Sequence, residues 1–190
     1  MEESYKLEKE YKVPVDTFSD AYLAFQKKFI YPKSRVYMII FTVIAIALLI
    51  VGVLRSGDTT KTQRYLIYIA FMFACAFAVR EWYSPKKIHR SITESVRTLG
   101  EPLYKIGIGE KYVDISTVAD DLSNIPEEEK QISEDNDPLP EKTRLTVDES
   151  FQLMEHDKFF LLMSGKEMFY ILPKEGFSES ELKIVRDIKK

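Results

Sequence analysis

Two histidines, one cysteine and a dense run of carboxylates are the side chains here whose chemistry could go beyond packing. His89 sits in a basic segment with Lys86, Lys87 and Arg90, and His156-Asp157 reads as a connection between two strands. An imidazole works as a general base only when a partner and a substrate are positioned around it. Neither histidine stands in an H-E-x-x-H pattern, and no G-x-S-x-G, P-loop or G-x-G-x-x-G run is present. The stretch Ile106–Lys111 has two glycines, but the pattern after it is that of a strand, so it lacks the strand-turn-helix setting of a dinucleotide site. Cys75 is the single cysteine, which excludes an intrachain disulfide and a thiolate metal cluster. Its apolar surroundings predict a small core filler.

The carboxylates concentrate in Ala119–Lys142. That segment holds nine Asp and Glu against Lys130 and Lys142, a net −7, which leaves the rest of this −3 chain at +4. Paired carboxylates do acid–base work when their spacing is fixed and their pKa values are set apart. Pro126, Pro138 and Pro140, with no aromatic residue, predict instead a disordered, loosely tethered acidic insertion. Its spacing fits no EF-hand loop. No catalytic residue, cofactor or metal site is therefore predicted. The polar candidates for a ligand or membrane-surface role are Lys86, Lys87, Arg90 and Lys174. Lys174 follows Pro173, which ends a strand, and it is expected to face solvent at the turn.

The elements that must position these residues begin with two apolar runs. Val36–Leu54 has nineteen residues without a charge, and Tyr65–Val79 has fifteen. The ten residues Arg55–Arg64 separate them. As helices they would span roughly 28 Å and about 22 Å, against a hydrocarbon core of ~30 Å. The shorter one gains length if Arg80 snorkels and Trp82 and Tyr83 lie at the interface. This predicts a transmembrane hairpin. A signal peptide is excluded by the depth of the first run in the chain. Lys27, Lys28, Lys33 and Arg35 precede the hairpin, and Arg80, Lys86, Lys87, Arg90 and Arg97 follow it, against Arg55, Lys61 and Arg64 in the connection. By the positive-inside rule both termini are cytoplasmic and the connection is external. The absence of ionisable groups within either run argues against an ion pathway. Ala70, Ala74 and Ala78 recur every four residues and are expected to face the first helix of the same hairpin.

Outside the hairpin, Tyr5–Val15 alternates as a strand. Asp16 or Thr17 is expected to cap a helix carrying the aromatic stripe Phe18, Tyr22, Phe25 and Phe29, which could be core or rest on the membrane surface. Ser84-Pro85 predicts the start of a separate juxtamembrane helix that Gly100 ends. Its basic residues would set topology and could attract anionic lipid. From Leu103 the period is two, with strands expected at 103–108, 112–118, 144–147, 151–155, 158–163 and 167–172. Ser178 with Glu181 then forms a capping box for a last helix.

The stretch Phe151–Met163, then Tyr170–Lys174 and Phe177, resembles the C-terminal segment of the YcxB-like family of small bacterial membrane proteins, and Ser19–Phe29 is similar to its N-terminal helix. The resemblance implies an N-terminal strand and helix, a membrane hairpin and a cytoplasmic β-domain of pleckstrin-homology-like character. It carries over no activity and no catalytic residue. The acidic insertion departs from the family's compact pattern.

The fold class expected is thus an α+β membrane protein with a two-helix transmembrane hairpin and a small antiparallel β-domain ending in a helix. Its parts are residues 1–35, the hairpin 36–83 with its loop 55–64, a juxtamembrane helix 84–100, and a β-domain 101–190 interrupted at 119–142. The expected location is the plasma membrane, crossed twice, with the lipid bilayer and a protein of unknown identity as partners. Nucleic acid is disfavoured by the low pI and the lack of a basic stripe. The expected role is a non-catalytic binding or regulatory module. The alternatives are an accessory subunit of a larger transport or envelope complex and a lipid-sensing domain.

Overall fold

The computed structural model describes residues 4–55, 57, 60–119, 142–165 and 168–188. Residues 120–141, nearly all of the acidic insertion, lie outside the described residues, as does Glu167, the first residue of the strand expected at 167–172. The chain is α+β, with two long apolar helices and antiparallel sheets. It divides into two compact units, Met1–Tyr22 with Ile92–Lys190, and Leu23–Ser91.

The first unit holds two antiparallel sheets. One has the order β1 (Leu7–Lys12), β2 (Leu103–Ile108), β3 (Tyr112–Ala119), β4 (Thr143–Thr146), and the other β5 (Phe151–Glu155), β6 (Phe159–Ser164), β7 (Met168–Pro173). The N-terminal strand joins the sheet across the whole intervening hairpin, with Leu7 opposite Ile108 and Tyr11 opposite Tyr104. Segment 1–35 is therefore not a separate part: its strand belongs to the β-domain. Alternation turns Ile106, Ile108, Val113, Ile115 and Leu145 of the first sheet inward, where they meet Phe151, Phe160, Leu162 and Leu172 of the second. The last helix, α4 (Glu179–Asp187), adds Leu182 and Val185 to this core. Its capping box is formed: the Ser178 hydroxyl accepts from the Glu181 amide, and the Glu181 carboxylate accepts from the Ser178 amide at 2.6 Å. Phe159–Met163 is buried on both faces, which explains why that strand reads as a continuous apolar run. Tyr22 stacks on Phe169, with ring centroids 6.1 Å apart, so part of the aromatic stripe is core.

Two expected helix boundaries are corrected. Helix α1 (Val15–Phe25) starts before Asp16 and Thr17, because the Pro14 carbonyl already accepts from the Phe18 amide at 2.9 Å. Pro14 takes the capping position, and neither Asp16 nor Thr17 caps. Helix α1 then passes through a π-helical turn, Gln26–Ile30, directly into α2 (Tyr31–Leu54). The predicted juxtamembrane helix 84–100 is likewise not separate. Helix α3 runs unbroken over Lys61–Leu99 with Pro85 inside it. A proline there removes the amide that would bond to the Glu81 carbonyl. The Ser34 hydroxyl of α2 supplies that missing donor at 2.5 Å.

In the second unit α2 and α3 meet along a narrow seam. Ser34, Ala45 and Ala74 are buried there, and Phe41 stacks on Phe77 at 5.2 Å. A Cβ on Gly52 would touch the Ile67 side chain at 3.4 Å. Of the alanine repeat, Ala74 is buried and Ala78 half-buried, whereas Ala70 is exposed, because a four-residue step drifts around a 3.6-residue helix. Many of the other apolar side chains, among them Val43, Ile46, Leu66 and Phe73, are exposed. Thr42 returns its hydroxyl to the Met38 carbonyl at 2.8 Å and so presents no free polar hydrogen.

Candidate functional site

The first unit contains a cavity of about 290 Å³. Tyr11, Phe18, Tyr104, Phe169 and Tyr170 supply half of its lining residues, with Val13 and Val96 beside them. The aromatic ones arrive from four elements. Tyr11 and Tyr104 are register partners on β1 and β2, with their rings 5.8 Å apart. Phe18 is on α1, and Phe169 and Tyr170 are on β7. Val96 belongs to the last turns of α3, which Gly100 terminates at φ 85° and Pro102 prevents from resuming. Among the described residues no charged side chain lines the cavity. Burial, followed by the neighbouring phenols Tyr104 and Tyr170, pushes the Tyr11 hydroxyl far above its ordinary pKa, so it stays protonated.

Among the described residues of this unit, two clusters of charged side chains each gather two cations on one carboxylate, beside simpler pairs such as Lys9–Glu181 and Lys105–Glu8. In one, Asp114 accepts from Arg144 through both oxygens at 2.8 and 2.9 Å, from Tyr5 at 2.8 Å, and pairs with Lys142 at 2.8 Å. Burial alone would raise its pKa, but the hydrogen bonds from Arg144, Lys142 and Tyr5 outweigh that and hold it below the usual carboxylate range. In the other, Glu155 of β5 takes Arg186 of α4 and Lys174, with contacts of 2.9 and 2.7 Å. Those two cations bring the Glu155 pKa down to about 2.

The second cluster corrects the expectation for Lys174. Its side chain is only 18% exposed, pairs with Glu155 and lies 4.9 Å from the centre of the buried Phe160 ring. It fastens the end of β7 to β5. His156 stacks on Phe159 at 4.8 Å in the β5–β6 turn, and its Nε2 has no hydrogen-bond partner. Among the described residues no group of three His, Cys, Asp or Glu side chains converges to hold a metal ion.

The other three candidates, Lys86, Lys87 and Arg90, are exposed on α3 in the second unit. The Lys86 ammonium lies 4.1 Å over the Trp82 ring. One residue before Lys86, the Pro85 carbonyl accepts from the fully buried Gln26 side chain at 3.0 Å. Lys27 and Lys28 follow Gln26 and Lys86 and Lys87 follow Pro85, so this contact joins two segments that are each basic. Lys174 belongs to the other unit.

The sequence pointed to none of the cavity's residues as a site. Tyr11, Tyr104 and Tyr170 read there as ordinary strand positions, and their convergence depends on pairing between segments more than ninety residues apart. The signal that could have found them is the excess of tyrosine on inward positions, where Phe would pack without needing a partner for a hydroxyl. Comparison with protein-family models, with curated proteins and with solved structures found no match for this chain.

Proposed function

We propose that this protein is a membrane-anchored, non-catalytic binding module, with α2 and α3 as a transmembrane hairpin and the β-domain held at the cytoplasmic face. The observation that carries the reading is the exposure of the hairpin. Only 6% of the most apolar window of each long helix is buried within the chain, where the core helix of a soluble domain would be mostly buried. Apolar side chains displayed on both outer faces of a two-helix hairpin match the requirement of a bilayer. The seam of small residues, the back-bonded Thr42 and the two basic segments joined through Gln26 and Pro85 support the same reading.

The non-catalytic part rests on where the titratable groups are engaged. Asp114 and Glu155 are each held by two cations, which neutralises carboxylates that an acid–base mechanism would need free. Four plus three antiparallel strands with a closing helix support a pleckstrin-homology-like domain, and with the hairpin they are consistent with a YcxB-like protein.

Orientation is tested with a reporter active only outside the plasma membrane. It is expected to work when inserted at Asp58 and to fail at either terminus, and the reverse pattern overturns the topology. The binding role is tested by crosslinking in cells and isolating tagged protein from membranes, with a variant lacking 119–142 as control. A stoichiometric protein partner is expected. Recovery of the chain alone removes the case for recruitment.

A further inference from the structure

We propose that the tyrosine-lined cavity of the β-domain is a binding site for a small uncharged amphiphile, an apolar or aromatic body carrying one hydroxyl or carbonyl group. This deepens the reading of the β-domain as a binding module and rests on it. Three observations carry it. The wall is made of rings and aliphatic groups, which favours a flat or chain-like apolar body. Its described residues carry no charge, so an ionic ligand would lose its hydration with nothing to replace it. The Tyr11 phenol lines the cavity, its residue is only 8% exposed, and no group among the described residues hydrogen-bonds to its hydroxyl. The Tyr11 oxygen is reachable by solvent and is not one of the buried atoms without a partner, so an oxygen on a ligand in the cavity can bond to it. The same hydroxyl stays protonated, so it can donate to a carbonyl or exchange hydrogen bonds with an alcohol.

Size narrows the class. The cavity of about 290 Å³ lies at the lower end of the ~300–1,000 Å³ range of small-molecule sites. That suits a bicyclic aromatic alcohol or a medium-chain aliphatic alcohol and is too small for a whole phospholipid.

The experiment titrates the full chain in lipid nanodiscs with 1-naphthol at neutral pH, with empty nanodiscs to measure partitioning into lipid and 1-octanol as competitor. Saturable 1:1 binding is expected. Tyr11→Phe keeps the ring and removes the hydroxyl, and is expected to weaken binding about five- to tenfold, the worth of one hydrogen bond. Val96→Trp fills the space and is expected to abolish binding, with circular dichroism showing that the variant keeps its fold. Displacement by octanol assigns the site to aliphatic as well as aromatic alcohols, and failure of octanol to displace naphthol restricts it to aromatic ones. Uptake no greater than that of empty nanodiscs for both alcohols, or equal affinity in wild type and Val96→Trp, overturns the proposal. If Val96→Trp does not fold, Tyr11→Phe decides alone: unchanged affinity overturns it. A cavity that takes neither alcohol, in a chain that still co-isolates a protein partner, rejects the pocket and leaves the anchored-module reading standing.

Discussion

Ser34 is expected to matter only because Pro85 is a proline, and this dependence can be measured. Pro85 has no amide hydrogen, so the Glu81 carbonyl one turn earlier has no donor within α3. The Ser34 hydroxyl occupies that place, 2.5 Å from the carbonyl oxygen and 3.0 Å from the Glu81 carboxylate, and Ser34 itself is buried. Ser34→Ala therefore leaves a shielded carbonyl unsatisfied, a loss of about 1–3 kcal/mol. Pro85→Ala restores the helical amide and is expected to stabilise the hairpin by about 1 kcal/mol or more, since proline is about 3 kcal/mol worse than alanine inside a helix and part of that is already offset by Ser34. In the Pro85→Ala background the hydroxyl is redundant, and Ser34→Ala should cost only about 0.5–1 kcal/mol. The cycle predicts a coupling of about 1 kcal/mol, above the ~0.3–0.5 kcal/mol scatter of independent sites. Equilibrium unfolding of the four proteins in mixed micelles can be followed by Trp82, the only tryptophan and the neighbour of Glu81. A coupling indistinguishable from zero would refute the reasoning, because it would mean the hydroxyl does not stand in for the missing amide.

Three further outcomes are expected. Glu155, whose pKa falls from 4.5 to about 2 in the fold, contributes stability that is complete above pH 4.5 and is lost as pH drops toward 2; urea midpoints across that range should flatten in Glu155→Gln, and an unchanged acid limb would exclude the ion pairs with Lys174 and Arg186 as its source. Asp114→Asn should destabilise the β-domain by about 2 kcal/mol, since it leaves the Arg144 and Lys142 charges without their buried carboxylate; because both cations are partly exposed the loss stays below that of a fully buried pair, and chemical denaturation with fixed m-value reads it. Gly107→Ala places a Cβ 2.7 Å from the Tyr5 ring, which must move and release Asp114; a loss of about 1–3 kcal/mol in thermal or urea unfolding is expected, and much less of it in a Tyr5→Ala background.

The sequence by itself determined whatever depends on local pattern. The charge-free runs around Ala45 and Ala74, the period of two from Leu103, the Ser178–Glu181 capping box and the strand at Phe151–Glu155 all follow from side-chain spacing along a few turns or one strand. The tertiary structure decided whatever depends on a partner far away in the chain. Ser84-Pro85 has the local form of a helix start, yet α3 continues through it because Ser34, forty-seven positions before Glu81, replaces the lost hydrogen bond. Lys174 has the local form of a solvated turn residue, yet Glu155 and the Phe160 ring claim it. The cavity is the furthest from local pattern. Its wall exists only once β1 pairs with β2 across the hairpin and α1, α3 and β7 bring in Phe18, Val96, Phe169 and Tyr170, so no window of sequence contains it. A hydrogen bond or a cavity wall is a relation between groups in space, and spacing along the chain fixes that relation only within a single element.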